Sequence, residues 1–254
     1  MMILPAQTNI QLYNQLVELG YPESDLALVR RAYDLAMQIF SGQYRANHKP
    51  QLAHVVGVAS ILAALEQPVT VVAAGLLHAA YSHGDWGDAT RGRNVAKADQ
   101  LRDSTSRQTE ELVARYLHIP WRKKPEILFG MLERNEELTA DELSVLTIKL
   151  ADIYEEYADL SIGYCKFEKL PLGPGYERNL VDALARAARM LGLDTLARDF
   201  ESALQRFEEF VVATPLYYAQ QGGPIIPPLS HELSLKLRLN RKVKRILHRL
   251  GIRG

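Results

Sequence analysis

The sequence has little of several features that would place a protein in a special class. Its single cysteine, Cys165, cannot close an intramolecular disulfide and excludes a zinc site built from cysteines. No apolar run reaches the roughly 18 residues that a membrane span requires, and the first residues, MMILPAQTN, lack the basic start of a signal peptide. Apolar residues make up 47% of the 254 residues, which excludes collagen-like and wholly disordered classes. We expect a globular cytoplasmic protein in a reducing compartment.

The sequence also lacks a net charge, but its charges are unevenly distributed. Thirty Lys and Arg balance thirty Asp and Glu, so composition predicts no overall preference for nucleic acid or acidic membranes. Residues 231–254 carry eight basic side chains and one acidic one, a charge of +7, which leaves −7 for residues 1–230. We interpret residues 220–230 as a linker and residues 231–254 as a basic tail helix. Such a helix either contacts a protein or an anionic surface, or closes the bundle with its apolar face.

Apolar residues recur at helical spacing through nearly the whole chain. Residues 26–40 place Leu, Val, Tyr, Ala and Phe three and four positions apart, as one face of a helix does. Residues 51–66 and 69–81 predict an αα-hairpin of two buried helices interrupted at Pro68. Further helices are predicted at about 109–117, 125–134 and 140–160, and two more follow the turn at 171–175. The fold class predicted for residues 1–219 is all-α, a helical bundle with extra C-terminal helices.

One stretch departs from this helical spacing. Residues 82–107 contain Gly84, Gly87 and Gly92 together with many polar side chains and five Arg or Lys residues. We interpret this stretch as a long loop, which in a compact domain is usually functional or mobile.

Three polar side chains lie where the predicted helices are otherwise apolar. His54 lies near the start of QLAHVVGVASILAAL, His78 lies within VVAAGLLHAAY, and Asp152 lies beside the apolar stripe of LTIKLADIYEEYADL. Burying an imidazole or a carboxylate without a partner is costly, so each side chain should have one. Taken singly, a hydrogen-bonded core histidine or a helix-surface carboxylate explains each residue. Taken together, the three residues predict a metal site.

The segments that carry these residues resemble the HD superfamily of metal-dependent phosphohydrolases. FSGQYRANHKPQLAHVVGVASIL, AAGLLHAAYSHG and IKLADIYEEYADL are similar to the hydrolase domain of enzymes that degrade guanosine tetraphosphate, over about residues 25–162. The resemblance implies metal ligation by His54, His78 and Asp152, with Arg45 near a nucleotide base or phosphate. This sequence departs from the family pattern at two places. Ala79 replaces the Asp of the His-Asp pair, and Ser82-His83 replaces a Glu-Asp pair implicated in hydrolysis.

The remaining candidates surround this predicted site. A two-His-one-carboxylate set suits Mn, Fe or Zn, and His83 or Asp85 is a candidate fourth ligand. Arg45, Arg91 and Arg93 are candidates for binding phosphate oxygens, since a guanidinium group binds them bidentately. No residue is assigned a catalytic role.

Two functions are compatible with this pattern. The first is binding of a phosphorylated small molecule or nucleotide at the metal site, with or without hydrolysis of that ligand. The second is that of a catalytically inactive HD scaffold, which serves as a regulatory or partner-binding module.

Overall fold

Helices dominate the part of the chain that this computed structural model describes, namely residues 2–88, 90–118, 138–166, 174–210, 216, 218–219 and 225–226. In chain order they are α1 (Asn9–Glu18), α2 (Glu23–Phe40), α3 (Gln51–Ala64), α4 (Val69–Leu77), α5 (Ala80–His83), α6 (Val95–Ser104), α7 (Arg107–Tyr116), α8 (Ala140–Ala158), α9 (Pro174–Met190) and α10 (Asp194–Glu209). A 3-10 helix, Ser161–Tyr164, follows α8.

The β-strands in these ranges are only two residues long. Strand β1 (Tyr44–Arg45) pairs antiparallel with β4 (Ile225–Ile226), and β2 (Cys165–Lys166) pairs parallel with β3 (Tyr218–Ala219). Tyr44 is the register partner of Ile226. Strands this short form no layer of the core, and the predicted all-α fold class is confirmed.

Helices α3 and α4 form the centre of the bundle. They pack on each other, and α3 also contacts α1, α2 and α8, while α4 contacts α2, α7 and α8. Burial on nearly every side explains why their sequences are apolar almost without interruption, whereas α2 buries a single stripe. The αα-hairpin predicted from residues 51–81 is therefore confirmed, with Pro68 as the residue that precedes α4.

The extra C-terminal helices are also present. Helices α9 and α10 pack on each other and both contact α8. The buried ring of Phe200 lies edge-on to Tyr154 at 5.4 Å and to Tyr157 at 6.5 Å, measured between ring centroids. Edge-to-face contacts of this kind stabilise aromatic pairs, so α10 is joined to α8 by aromatic packing.

The long loop predicted over residues 82–107 is wrong in its second half, which forms α6. Asn94 caps this helix because its side chain accepts a hydrogen bond of 3.0 Å from the backbone N–H of Lys97. Ala98 and Leu101 are buried against the rest of the bundle. The glycines that suggested a loop all precede α6, and two of them, Gly87 and Gly92, adopt positive φ angles in the turns before it.

Several predictions concern segments outside the described residues. These are the helix over 125–134, residues 171–173 of the turn predicted over 171–175, the basic tail helix over 231–254 and, except for β4, the linker over 220–230. The last two residues of that predicted turn, Pro174 and Gly175, instead begin α9. Among the helices that the structure does describe, none combines the length and the apolar character needed to cross a bilayer.

Candidate metal centre

Three helices bring the predicted metal ligands to one point. His54 lies in the first turn of α3, His78 directly follows α4, and Asp152 lies in the C-terminal half of α8. One ligand atom from each residue lies within 4.8 Å of the other two. Nε2 of His54 is 3.1 Å and Nε2 of His78 is 3.6 Å from Oδ1 of Asp152. The structure therefore assembles two imidazoles and one carboxylate, which we call the HHD cluster.

The start of α8 helps to place the carboxylate. Thr139 and Glu142 form a capping box, in which each side chain binds the backbone N–H of the other residue. Such a box fixes where a helix begins and hence which residues face the core. Asp152 lies three turns further on, with 13% of its side chain exposed.

The outer nitrogen of each histidine is bound to an acceptor. Nδ1 of His54 lies 2.7 Å from Oε2 of Glu155, and Nδ1 of His78 lies 2.8 Å from the carbonyl oxygen of Gly75. An ionised carboxylate and a carbonyl can only accept, so both rings donate from Nδ1. In the neutral form of each ring, Nε2 then carries a lone pair, and this atom lies close to Oδ1 of Asp152. Histidines that bind metals are held in this way by their second nitrogen.

Nε2 of His54 has an unmet requirement. It is buried and has no hydrogen-bond partner among the described residues, although Oδ1 of Asp152 lies 3.1 Å away in a direction unsuited to such a bond. A buried polar atom without a partner costs about 1–3 kcal/mol. Two lone-pair-bearing atoms at this distance also repel unless a positive charge lies between them. A divalent cation that accepts nitrogen and oxygen ligands would meet both requirements, so the residues present fit a metal.

Asp152 is held as a carboxylate from its other side. Oδ2 accepts hydrogen bonds of 2.8 Å from Nζ of Lys149 and 2.5 Å from the hydroxyl of Tyr116. Burial works to raise the pKa of Asp152, but the positive charge of Lys149 opposes burial, and that pKa lies well below its usual range. Burial lowers the pKa of His78 to about 4, so its ring is neutral at neutral pH. Asp152 and His78 thus have the protonation states that metal ligation requires.

His83, the predicted fourth ligand, is not among the side chains whose ligand atoms lie within 4.8 Å of one another. Its Nδ1 lies 2.8 Å from the hydroxyl of Ser82. Burial, followed by the charges of Arg91 and Arg45, lowers the pKa of His83 to about 4. Both arginines are therefore close enough to act electrostatically on His83, whose role as a ligand stays a prediction. Asp85, the other candidate, lies two residues after the end of α5.

The predicted phosphate-binding arginines lie in different surroundings. Arg45 forms an ion pair with Glu156 and is 18% exposed. Arg93 donates to both carboxylate oxygens of Glu110, at 2.7 and 3.2 Å, in a separate cluster of charges. Of the three, Arg45 and Arg91 carry charges that lower the pKa of His83, whereas Arg93 is bound to Glu110.

Sequence reasoning missed three contributors to the site. Lys149 and Glu155 lie three residues before and after Asp152, a spacing that places them next to it on a helix. This spacing could have identified both residues as neighbours of the predicted ligand Asp152. Tyr116 lies at the end of α7, and nothing in its sequence neighbourhood indicates that its hydroxyl reaches Asp152.

Comparisons with known proteins find partial similarity to one family and to several enzymes. Residues 37–120 match a family described as a domain of unknown function, DUF6817, and this match includes both histidines of the HHD cluster. The bifunctional (p)ppGpp synthase/hydrolase RelA of Mycobacterium tuberculosis is 41% identical over 58 residues, 23% of this chain and 8% of that protein. The bifunctional (p)ppGpp synthase/hydrolase SpoT of Escherichia coli is 28% identical over 141 residues, 55% of this chain and 19% of that protein. The chain is thus distantly similar to part of these enzymes and matches less than a fifth of their length.

Proposed function

We propose that this chain is an HD-type phosphohydrolase that acts at a metal bound by His54, His78 and Asp152. The observation that carries this proposal is the convergence of two histidine Nε2 atoms on one oxygen of Asp152, where the buried Nε2 of His54 has no hydrogen-bond partner in the part of the chain that the structure describes. Metals of the Mn, Fe and Zn group accept this donor set. When bound, such a metal lowers the pKa of a coordinated water and orients a phosphate.

The substrate class we propose is a phosphorylated guanosine nucleotide. Relatives with partial similarity carry the names (p)ppGpp synthase/hydrolase and guanosine-3′,5′-bis(diphosphate) 3′-pyrophosphohydrolase. The positive charges of Arg45 and Arg91 act on His83 and would bind phosphate oxygens there. Because Arg45 is paired with Glu156, its guanidinium group has to exchange that carboxylate for a phosphate.

A second candidate, an inactive HD scaffold, is favoured by the residues next to His78. Ala79 is 5% exposed and offers no ligand where the family has an Asp. Ser82 donates to the carbonyl of Ala79 at 3.2 Å and contacts His83, so the pair that replaces Glu-Asp contains no carboxylate. In this candidate the chain has no turnover and serves as a regulatory or partner-binding module.

The test measures metal content and turnover separately. Chelator-free protein is analysed by ICP-MS, then titrated with Mn²⁺ by calorimetry, beside His78→Ala and the control His118→Ala, which changes an exposed histidine outside the cluster. Guanosine-3′,5′-bis(diphosphate) is then incubated with the loaded protein, and the products are separated by anion exchange. One equivalent of metal, lost only in His78→Ala, together with turnover, supports the phosphohydrolase. Metal without turnover supports the scaffold, and wild-type protein without metal contradicts the phosphohydrolase.

A further inference from the structure

Glu155 is a fully buried carboxylate whose two oxygens have different partners. Oε2 lies 2.7 Å from Nδ1 of His54, and Oε1 pairs with Nζ of Lys49. Lys49 also donates to Asp159, at 2.6 Å. The result is a chain of contacts, Lys49–Glu155–His54, that runs from a partly exposed lysine to the HHD cluster. Burial works to raise the pKa of Glu155, but His54 and Lys49 outweigh it and hold that pKa below its ordinary value.

The space for Glu155 is provided by a glycine in the facing helix. Gly57 lies one turn after His54 in α3, and a Cβ atom built on it would be 2.8 Å from both Cγ and Oε1 of Glu155. Carbon atoms do not approach this closely, so a side chain at position 57 has to displace Glu155. Glycine inside a helix is destabilising relative to alanine. Helix α3 is therefore locally destabilised at Gly57, the position that packs against the side chain of Glu155.

We propose that Glu155 is a positioning residue for His54 and that Gly57 is required for it to act. Glu155 holds the ring of His54 with the proton on Nδ1 and with Nε2 free toward Asp152. A carboxylate can do this because it only accepts hydrogen bonds. The inference rests on the proposed function, since it names what prepares His54 as a metal ligand.

The substitution Glu155→Gln tests this role with almost no change of shape. Lys49 can only donate, so it attracts the amide oxygen of glutamine and leaves the amide NH₂ facing Nδ1 of His54. Nδ1 then has to accept, and the ring proton moves to Nε2, where it blocks ligation. We expect Mn²⁺ affinity to fall by about 10- to 100-fold, the range found for residues that orient metal ligands.

The tautomer is read directly in metal-free protein by long-range ¹H–¹⁵N correlation NMR of the histidine rings. In wild-type protein we expect the His54 proton on Nδ1, and in Glu155→Gln on Nε2. His78 is an internal control, because its Nδ1 is bound to the carbonyl of Gly75 and should not change in either protein. Gly57→Ala should act in the same direction as Glu155→Gln by displacing the carboxylate.

A double variant provides a rescue. In Lys49→Met/Glu155→Gln the amide oxygen is no longer attracted to position 49 and can turn to accept from Nδ1 of His54. Part of the lost Mn²⁺ affinity should therefore return. A purely structural role of Glu155 would instead lower the melting temperature of all the variants and leave the His54 tautomer unchanged.

The outcomes separate this inference from the proposed function. A wild-type His54 with its proton on Nε2, or a Glu155→Gln variant with the wild-type tautomer, overturns the positioning role whatever the metal result. If the tautomer changes as expected but wild-type protein takes up no Mn²⁺, the positioning role stands and the metal-dependent function fails.

Discussion

Two buried carboxylates in this molecule have opposite surroundings. Glu110, 1% exposed on α7, accepts hydrogen bonds from the hydroxyl of Tyr81 and from the guanidinium groups of Arg93 and Arg102. Its cluster contains donors and acceptors in balance. In the HHD cluster, by contrast, two imidazole nitrogens and a carboxylate oxygen present lone pairs to one another. A buried charge alone therefore does not indicate a metal site, whereas a cluster of acceptors without donors is one that could hold a cation.

The largest expected effect follows from removing a ligand of the HHD cluster. Asp152→Asn keeps the shape but loses the charge, and we expect Mn²⁺ affinity to fall by more than about 100-fold, beyond the range for outer positioning residues. A ligand at 100 times its Kd stabilises a protein by about 2.7 kcal/mol, so Mn²⁺ should raise the wild-type melting temperature by several degrees. Differential scanning fluorimetry with Mn²⁺ and with EDTA measures this shift, which should vanish in Asp152→Asn.

Removing the carboxylate of the other cluster, Glu110, should lower the free energy of unfolding and leave the response to Mn²⁺ intact. Glu110→Ala leaves the hydroxyl of Tyr81 without its acceptor, which costs about 1–3 kcal/mol of the free energy of unfolding. Arg93 and Arg102 are 44% and 37% exposed and can turn to water, so they add little to this loss. Urea unfolding measures the loss, and the stabilisation by Mn²⁺ should remain. A Glu110→Ala protein that no longer responds to Mn²⁺ would break the distinction between the clusters.

The exposed ion pair next to Glu110, between Arg107 and Glu111, should contribute little to the free energy of unfolding. Glu111→Ala removes an ion pair with Arg107, whose side chain is 83% exposed. Exposed pairs contribute about 0.2–1 kcal/mol, so the free energy of unfolding should change by less than that of Glu110→Ala.

The two regions should also differ in their response to acid. The pKa of His83 is lowered from its ordinary 6.5 to about 4, so between these values the unfolded chain binds more protons and stability falls as the pH falls. The pKa of Glu110 is lowered from 4.5, so its contribution is lost only below that value. Urea unfolding of metal-free protein from about pH 7 to about pH 5 should show a decrease that is smaller in His83→Gln and unchanged in Glu111→Ala. An identical slope in His83→Gln would contradict the assignment.

The sequence was most informative where polarity conflicts with apolar surroundings. His54 and His78 stand out because α3 and α4 are apolar on nearly all sides, and this same property made the buried hairpin predictable. Helix α6 was missed because only three of its residues are buried, so its apolar residues show little helical spacing. The glycines that precede it therefore decided the prediction of a loop.

Glu155 was missed for a different reason. It belongs to a pair of adjacent glutamates, which in isolation is typical of a solvated helix surface. Its burial depends on the space at Gly57 and on the ring of His54, both contributed by a helix far away in the sequence. Its spacing from Asp152 places it beside that ligand on α8, but no pattern within α8 reports what α3 presents to it, so the contact with His54 became visible only in the structure.

The origin of the three ligands in α3, α4 and α8 has a consequence for the motions of the protein. No one of these helices can separate from the bundle without dismantling the HHD cluster. A bound cation would therefore have to leave before any of the three could open locally, and it would join them into one cooperative unit. Amide hydrogen exchange in all three helices should slow together on loading, while α9 and α10, which contribute no ligand, should exchange at nearly unaltered rates.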